Sequence, residues 1–299
     1  MKTVLITGGT GLIGRSLTQF LLRKGFDVAH LSRKKTAGNV KTYLWNTATN
    51  EIDNHAVSIA DYIIHLAGAN VADHRWTAKY KKEIVESRTK SASILYEALG
   101  HTPNHVKAII SASAIGYYGD RGEEWVHEDT APADDFLGTT CVQWEASVNK
   151  FARLHKRVAI LRTGIVLANE GGALPPLVRP IRFGIAPIFG NGKQYYPWIH
   201  IDDLCRMYLH AIENENIEGA YNAVGSEPDR YIHLINTIAE TIGRKKINVP
   251  VPMPVLQAMM GDFVKTLSMS SRCSSDKIRA SGFIFRFPAL RTALEDLLK

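Results

Sequence analysis

The sequence predicts an α/β fold, an open sheet with helices between its strands, and three observations carry that reading. A short apolar, β-branched run, KTVLIT (2–7), leads directly into the glycine-rich stretch GGTGLIG and then into the helical pattern SLTQFLLRKG, which stops at Gly25. Further buried-type strands recur at DVAHLS (27–32), DYIIHLAG (61–68) and VKAIISASAIGYYG (106–119), with a long helix expected from Ala78 to Leu99. At 299 residues, 45% hydrophobic and 22% charged, the chain suffices for one large domain or two moderate ones with real cores.

Taken in order, the first turn is the most informative. Gly8, Gly11 and Gly14 are spaced GxxGxxG between a strand and a helix. Glycine permits the tight turn and lets backbone N–H groups approach a pyrophosphate; the helix N-terminus adds partial positive charge, and Gly14 allows close helix–strand packing. A second strand follows, as a nucleotide site of this kind requires. At its end stands Ser32-Arg33-Lys34-Lys35, where an NAD site usually carries a carboxylate. Arg33 can make charge-assisted bonds to the 2′-phosphate of NADP, so NADP(H) is the expected cofactor; a basic surface loop is the plainer reading. Leu66, Ala67 and Gly68 end the next strand, where backbone can lie beside adenosine and ribose. Glu83 and Arg88 on the long helix are candidate cofactor-side residues or simple surface charges.

Net charge is +7, and Thr241–Lys299 holds 10 Lys/Arg against 4 Asp/Glu. These cations are dispersed among apolar residues with no aromatic–basic ladder. A solvated surface is expected, then attraction of an anionic small molecule, with no nucleic-acid partner. Cys141, Cys205 and Cys273 are scattered without CxxC spacing, which points away from disulfides and zinc and toward a reducing cytosol. His200 has no second His at ligand spacing, so no metal is expected. The opening MKTVLITGG is already a strand, and no stretch approaches the ~20 apolar residues of a membrane span. A cytoplasmic protein with no membrane partner is therefore expected.

The combination TGGTGLIG, HLAG, SASAIGYYG and PWIHIDD (197–203) resembles the extended short-chain dehydrogenase/reductase superfamily, which includes sugar-nucleotide epimerases and dehydratases. HRWT (74–77), ESR (86–88), CVQWE (141–145), LRTGIVL (161–167), Gly171-Gly172 and SGFIFRFPAL (281–290) narrow the resemblance to an epimerase-family branch whose members carry a small C-terminal domain and bind NADP(H). The resemblance implies a Rossmann-like, doubly wound parallel sheet over residues 1–170, also receiving 197–225. It implies a smaller substrate-side region mostly within 171–299, with a family-specific segment 246–299. It adds Thr7, Thr10, Leu12, Ile13, Ser111 and Val166 to the cofactor-binding candidates. A homodimer through the helices near 78–99 and 136–156 is a further expectation by fold analogy.

In that superfamily a Ser, here Ser113, orients the substrate oxygen, and a Tyr-x-x-x-Lys pair on the next helix moves the proton. Here Cys141 and Glu145 occupy the pair's positions, four residues apart on one helical face. A neighbouring carboxylate raises a thiol above its usual ~8.5, so Cys141 is no activated nucleophile. Cys141 is open to three readings: packing or cofactor lining, proton transfer, and redox sensing. Glu145 is open to ribose binding, general-base duty after an upward shift, and a structural role. Tyr117 lies where the family's pocket-lining tyrosine falls, and either Tyr117 or Glu145 is expected to donate the proton. An aromatic packing pair of Tyr117 and Tyr118 is the alternative.

Arg75 follows HLAG in a loop position where a guanidinium can clamp an anion, with Trp76 beside it; Arg179 and Arg182 suit the same ligand class or a solvated helix face. Asp202 is expected to N-cap the helix that begins there. Two functions follow. One is an NADP(H)-binding oxidoreductase or nucleotide-sugar epimerase acting by hydride transfer on a small carbonyl or hydroxyl compound. The other is a non-catalytic NADP(H)-sensing protein.

Overall fold

In the computed structural model the described residues are 1–299 except 36, 37, 39, 253, 255 and 258–260. The apolar run near the start folds as strand β1 (Thr3–Thr7), and alternation of its side chains decides the architecture. Val4 and Ile6 enter one core while Leu5 enters another on the opposite face. Strand β6 (Ala108–Ala114) divides the same way, Ala108 and Ile110 to one side and Ile109 to the other. A strand buried on both faces reads as a continuous apolar run, which is why these segments lack polar alternation.

The other strands of the sheet are β2 (Asp27–Ser32), β3 (Lys41–Asn46), β4 (Glu51–Ile52), β5 (Tyr62–His65), β8 (Arg157–Thr163) and β12 (Gly219–Ala223). Their order is β12-β8-β6-β5-β1-β2-β3-β4, parallel throughout except for the β3–β4 pair. Helices α1 (Leu12–Arg23) and α6 (Ile201–Glu213) cover one face, contributing Leu17, Leu21, Leu204 and Tyr208. Helices α3 (Ala78–His101) and α4 (Phe136–Asn149) pack side by side on the other, with Ala92, Leu95, Trp144 and Val148. The expected doubly wound sheet is thus present.

Both long helices start on a side-chain cap. Thr77 Oγ1 accepts from Tyr80 N (3.2 Å) and Asp135 Oδ1 from Gly138 N (2.7 Å), each cap contributing about 1 kcal/mol. The α6 start differs from expectation. His200, not Asp202, is the N-cap, its Nδ1 accepting from Asp202 N at 3.1 Å. A histidine held at the end of β11 (Trp198–His200) reaches the orphan amide first, and Asp202 falls inside the helix. Asp203 beside it is buried and accepts from the backbone amides of Arg286 and Phe287, fastening the C-terminal segment to the sheet domain.

A third core lies beyond the sheet. It joins Leu177 and Ile181 of α5 (Leu174–Arg182), Ile188 of β10 (Ile185–Phe189), Leu234 and Ile238 of α7 (Tyr231–Thr241), and Leu290 and Leu294 of the last helix. The C-terminal segment also reaches back over long sequence distances: Ser270 N donates to Asp120 Oδ1, Arg121 N to Ser270 O, and Ser271 Oγ to Gly119 O. No helix among the described residues is long and apolar enough to cross a membrane.

His65 ends β5 wholly buried beneath the first turn. Thr7 Oγ1 already accepts from the amides of Leu66 and Ala67, so its hydrogen goes to His65 Nδ1 at 2.8 Å. That leaves Nε2 carrying the imidazole proton toward Ser91 Oγ, 3.3 Å away. Burial pushes His65 down from the ordinary 6.5 to about 4. Because the folded form resists protonation, the associated stability is present above pH 6.5 and is lost as pH falls toward 4. The loss amounts to about 3 kcal/mol at most. Urea unfolding at stepped pH should show this decline, with a shallower slope in His65→Asn.

Candidate active site

Parallel strands bring their carboxyl ends to one edge. The chain leaves β1 toward β2 and β3, then returns to place β5 on the other side of β1. That reversal is where open α/β sheets form their ligand crevice. Gly8 sits at the mouth with φ +72°, and a Cβ there would stand 2.9 Å from the carbonyl carbon of Leu66. A Cβ on Gly14 would stand 2.4 Å from Gly8 O, so the turn closes only with glycine at both positions. Gly11 is different. An added Cβ would meet nothing in the chain closer than 3.4 Å, so the fold itself does not demand glycine there. As the exposed N-cap of α1, with no side-chain cap and no acidic residue in its first turn, it suits the close approach of a pyrophosphate.

The remaining cofactor candidates are distributed around this turn. Thr10 is exposed beside Gly11, and Leu12 and Ile13 are half-buried at the start of α1. Gly172 packs on Leu12 and on the carbonyl of Val166, so the loop after β9 (Ile165–Leu167) lies over the same turn. Ser32 ends β2, and the exposed Arg33 follows it, paired with no described residue. Thr7, through its hydroxyl, holds Leu66 and Ala67 in place. A Cβ on Gly68 would meet Arg88 Cζ at 3.0 Å, and the same guanidinium lies 4.9 Å from the Trp144 ring. Burial lowers the Arg88 pKa, an effect opposed by Cys141 and Tyr80. Glu83 stands exposed on α3 and makes no hydrogen bond or ion pair with a described residue. Ser111 is buried and donates to Ala112 O at 2.9 Å.

The catalytic candidates converge on a residue that sequence reasoning passed over. Arg162, on β8 and 4% exposed, forks across Glu145: Nε donates to Oε1 and Nη2 to Oε2, both at 2.8 Å. Ser113 Oγ donates to the same Oε1 at 2.7 Å. Glu145 thus has both oxygens engaged, Oε1 by Arg162 and Ser113 and Oε2 by Arg162. Arg162 in turn is held charged: burial opposes this, and the bonds and charge of Glu145 together with Tyr118 outweigh it. Its Nη1 donates to Tyr118 Oη and to Glu128 O. Burial, then Glu145, pushes the Cys141 thiol up to about 11, and it faces Ala114 O at 3.7 Å. As expected, it is no activated nucleophile.

The two tyrosines form the aromatic pair named as the alternative, edge to face with ring centroids 5.2 Å apart, but their hydroxyls are held differently. Tyr118 is fully buried, its hydroxyl donating to Asn222 Oδ1 at 2.7 Å, and Asn222 Nδ2 reaches Ser274 O in the C-terminal segment. Tyr117 is half-buried, with its ring centroid 3.5 Å from the Arg162 guanidinium. Near the crevice, the Trp76 ring packs edge-on with Phe136 and with Phe263, and Lys81 pairs with Asp262 at 2.9 Å. Arg75 is exposed beside Gly261, whereas Arg179 and Arg182 point outward from α5. A signal for Arg162 does exist in VAILRTGIVL: a lone guanidinium inside a buried strand demands a carboxylate.

Removing one member of a buried pair leaves an uncompensated charge. Glu145→Gln should therefore destabilise the protein by about 3–5 kcal/mol in urea unfolding, and Glu145→Gln with Arg162→Met should recover most of that.

The model of the NAD dependent epimerase/dehydratase family matches residues 4–224, and that of a domain of unknown function (DUF1731) matches residues 251–297. An epimerase family protein of Staphylococcus epidermidis is 33% identical over 300 residues, covering all of both chains. One from Staphylococcus aureus is 34% identical over 301 residues, again over the whole of both. Among solved structures, human epimerase family protein SDR39U1 (isoform 2) with NADPH matches at TM-score 0.88 and 30% identity, covering 99% of this chain and 98% of its own. A nucleoside-diphosphate sugar epimerase from Corynebacterium glutamicum matches at TM-score 0.81 and 31% identity, covering 99% of this chain and 58% of its own. The chain belongs to the NAD dependent epimerase/dehydratase family.

Proposed function

We propose that the protein binds NADP(H) across the β1–β5 crevice and catalyses hydride transfer to or from a small carbonyl or hydroxyl compound, with Tyr117 as the proton donor. The glycine turn fits a pyrophosphate, as the space above Gly11 argues, and the exposed Arg33, paired with no described residue, fits a 2′-phosphate. When bound, the cofactor supplies or accepts the hydride.

The residues of the chain divide the remaining work. Ser113 keeps a lone pair for a substrate hydroxyl while its own proton is held by Glu145. Glu145 itself is neutralised by Arg162, Cys141 is a protonated thiol at neutral pH, and the Tyr118 hydroxyl is committed to Asn222. Tyr117 is left: half-buried, oriented by the guanidinium under its ring, with its hydroxyl bonded to no described residue. That elimination is the observation carrying the proposal. The exposed Arg75 beside the Trp76–Phe136–Phe263 cluster supports an anionic substrate such as a nucleotide sugar, the ligand class named for the related epimerases.

A second reading has its own observation. The buried chain Ser113–Glu145–Arg162–Tyr118–Asn222–Ser274 links the crevice edge to the C-terminal segment, as a sensor of bound cofactor would require.

Two measurements test the cofactor and chemical assignments. Arg33→Ala should weaken NADPH binding by roughly 10–100-fold and leave NADH binding almost unchanged, as loss of a charge-assisted bond predicts. With NADPH deuterated at C4 and a fractionated metabolite extract, label should appear stereospecifically in one compound. Tyr117→Phe should lower that transfer by about 10²–10⁴-fold. Tight NADPH binding without transfer in any fraction would favour the sensor, and undiminished turnover in Tyr117→Phe would remove the tyrosine.

A further inference from the structure

Away from the crevice, the two-stranded parallel sheet of β10 and β13 (Ile247–Val251) turns apolar side chains toward water. Register pairs Ile185 with Ile247 and Pro187 with Val249, so these four side chains share one face. Ile247 is 74% exposed and Ile185 49%. Phe183, 86% exposed, precedes them, and Ile247 N donates to Gly184 O at 2.9 Å, which draws Phe183 to the same corner. Single exposed apolar residues are ordinary, but a gathered set marks an interaction surface.

Its rim is predominantly positive, the nearby Glu240 being paired with Arg291. Arg179 and Arg182 stand on the outward face of α5, while Leu177, Val178 and Ile181 face the core. Arg244, Lys245 and Lys246 lead into β13. Across the two stretches that build this surface, 171–189 and 241–251, there are five Lys/Arg and no Asp or Glu.

We propose that this surface docks the protein on a bilayer containing anionic phospholipid. Such a bilayer offers headgroup charge to the five cations and an apolar boundary to Phe183, Ile185, Ile247 and Val249. A nucleic acid would satisfy the cations but gain little from the apolar side chains. A second copy of the chain would bring like charges together across a twofold axis. The expectation of no membrane partner weighed only spanning segments, and a surface that lies on the headgroups needs none.

The test is sedimentation of the full chain with vesicles of phosphatidylcholine alone and of phosphatidylcholine mixed with phosphatidylserine. Binding should be about tenfold or more tighter to the anionic vesicles and should weaken as salt rises. Phe183→Ser/Ile247→Ser and Lys245→Glu/Lys246→Glu should each lose about tenfold in partitioning. Near-UV circular dichroism and NADPH affinity should stay unchanged, since these side chains lie outside the core and the crevice. Equal sedimentation of wild type and variants would overturn the proposal, as would no binding to anionic vesicles at low salt. So would tighter binding to duplex DNA than to vesicles, or a dimer in solution that the same substitutions dissolve.

Discussion

A guanidinium in the middle of a buried strand is the constraint around which this structure is arranged. Arg162 has left water, and only a carboxylate with good geometry makes that tolerable. Glu145 supplies it from α4, across the β6 edge, and the pair then takes Ser113, Tyr118 and the carbonyl of Glu128 as further partners. With Glu145 paired to Arg162, no stray negative charge is left at this edge of the sheet.

Much of this was legible in local sequence. The strand–glycine–helix turn follows from backbone sterics alone: a side chain at Gly8 or Gly14 would collide with neighbouring main chain. The strands DVAHLS and YIIH, and the helix beginning at Phe136 behind Asp135, follow from short-range patterns as well. The long helix runs to His101, two residues past the expected end, through Gly100, which does not interrupt it.

What local sequence did not give was pairing at a distance. Arg162 and Glu145 lie 17 residues apart on different elements, and Tyr118 and Asn222 lie 104 apart. Their interactions are created by the sheet order, which no periodicity encodes. The α6 cap failed for a similar reason: Asp202 is the better capping residue by type, but β11 delivers His200 to the helix end already aimed at the free amide.

The bonds from Ser270 and Ser271 back to Gly119, Asp120 and Arg121 bear on how the chain matures. A ribosome releases the glycine turn and the Ser113 strand early, but the loop after Tyr118 acquires these partners only when residues 270–274 emerge, some 150 positions later. Until then the edge holding Tyr118 lacks its partner Asn222, and Asn222 lacks Ser274. Contacts of such sequence separation form late, because loop closure must be completed before they contribute. The nucleotide crevice is thus set by the first part of the chain to be made, whereas the edge holding Tyr118 and Asn222 is completed by nearly the last.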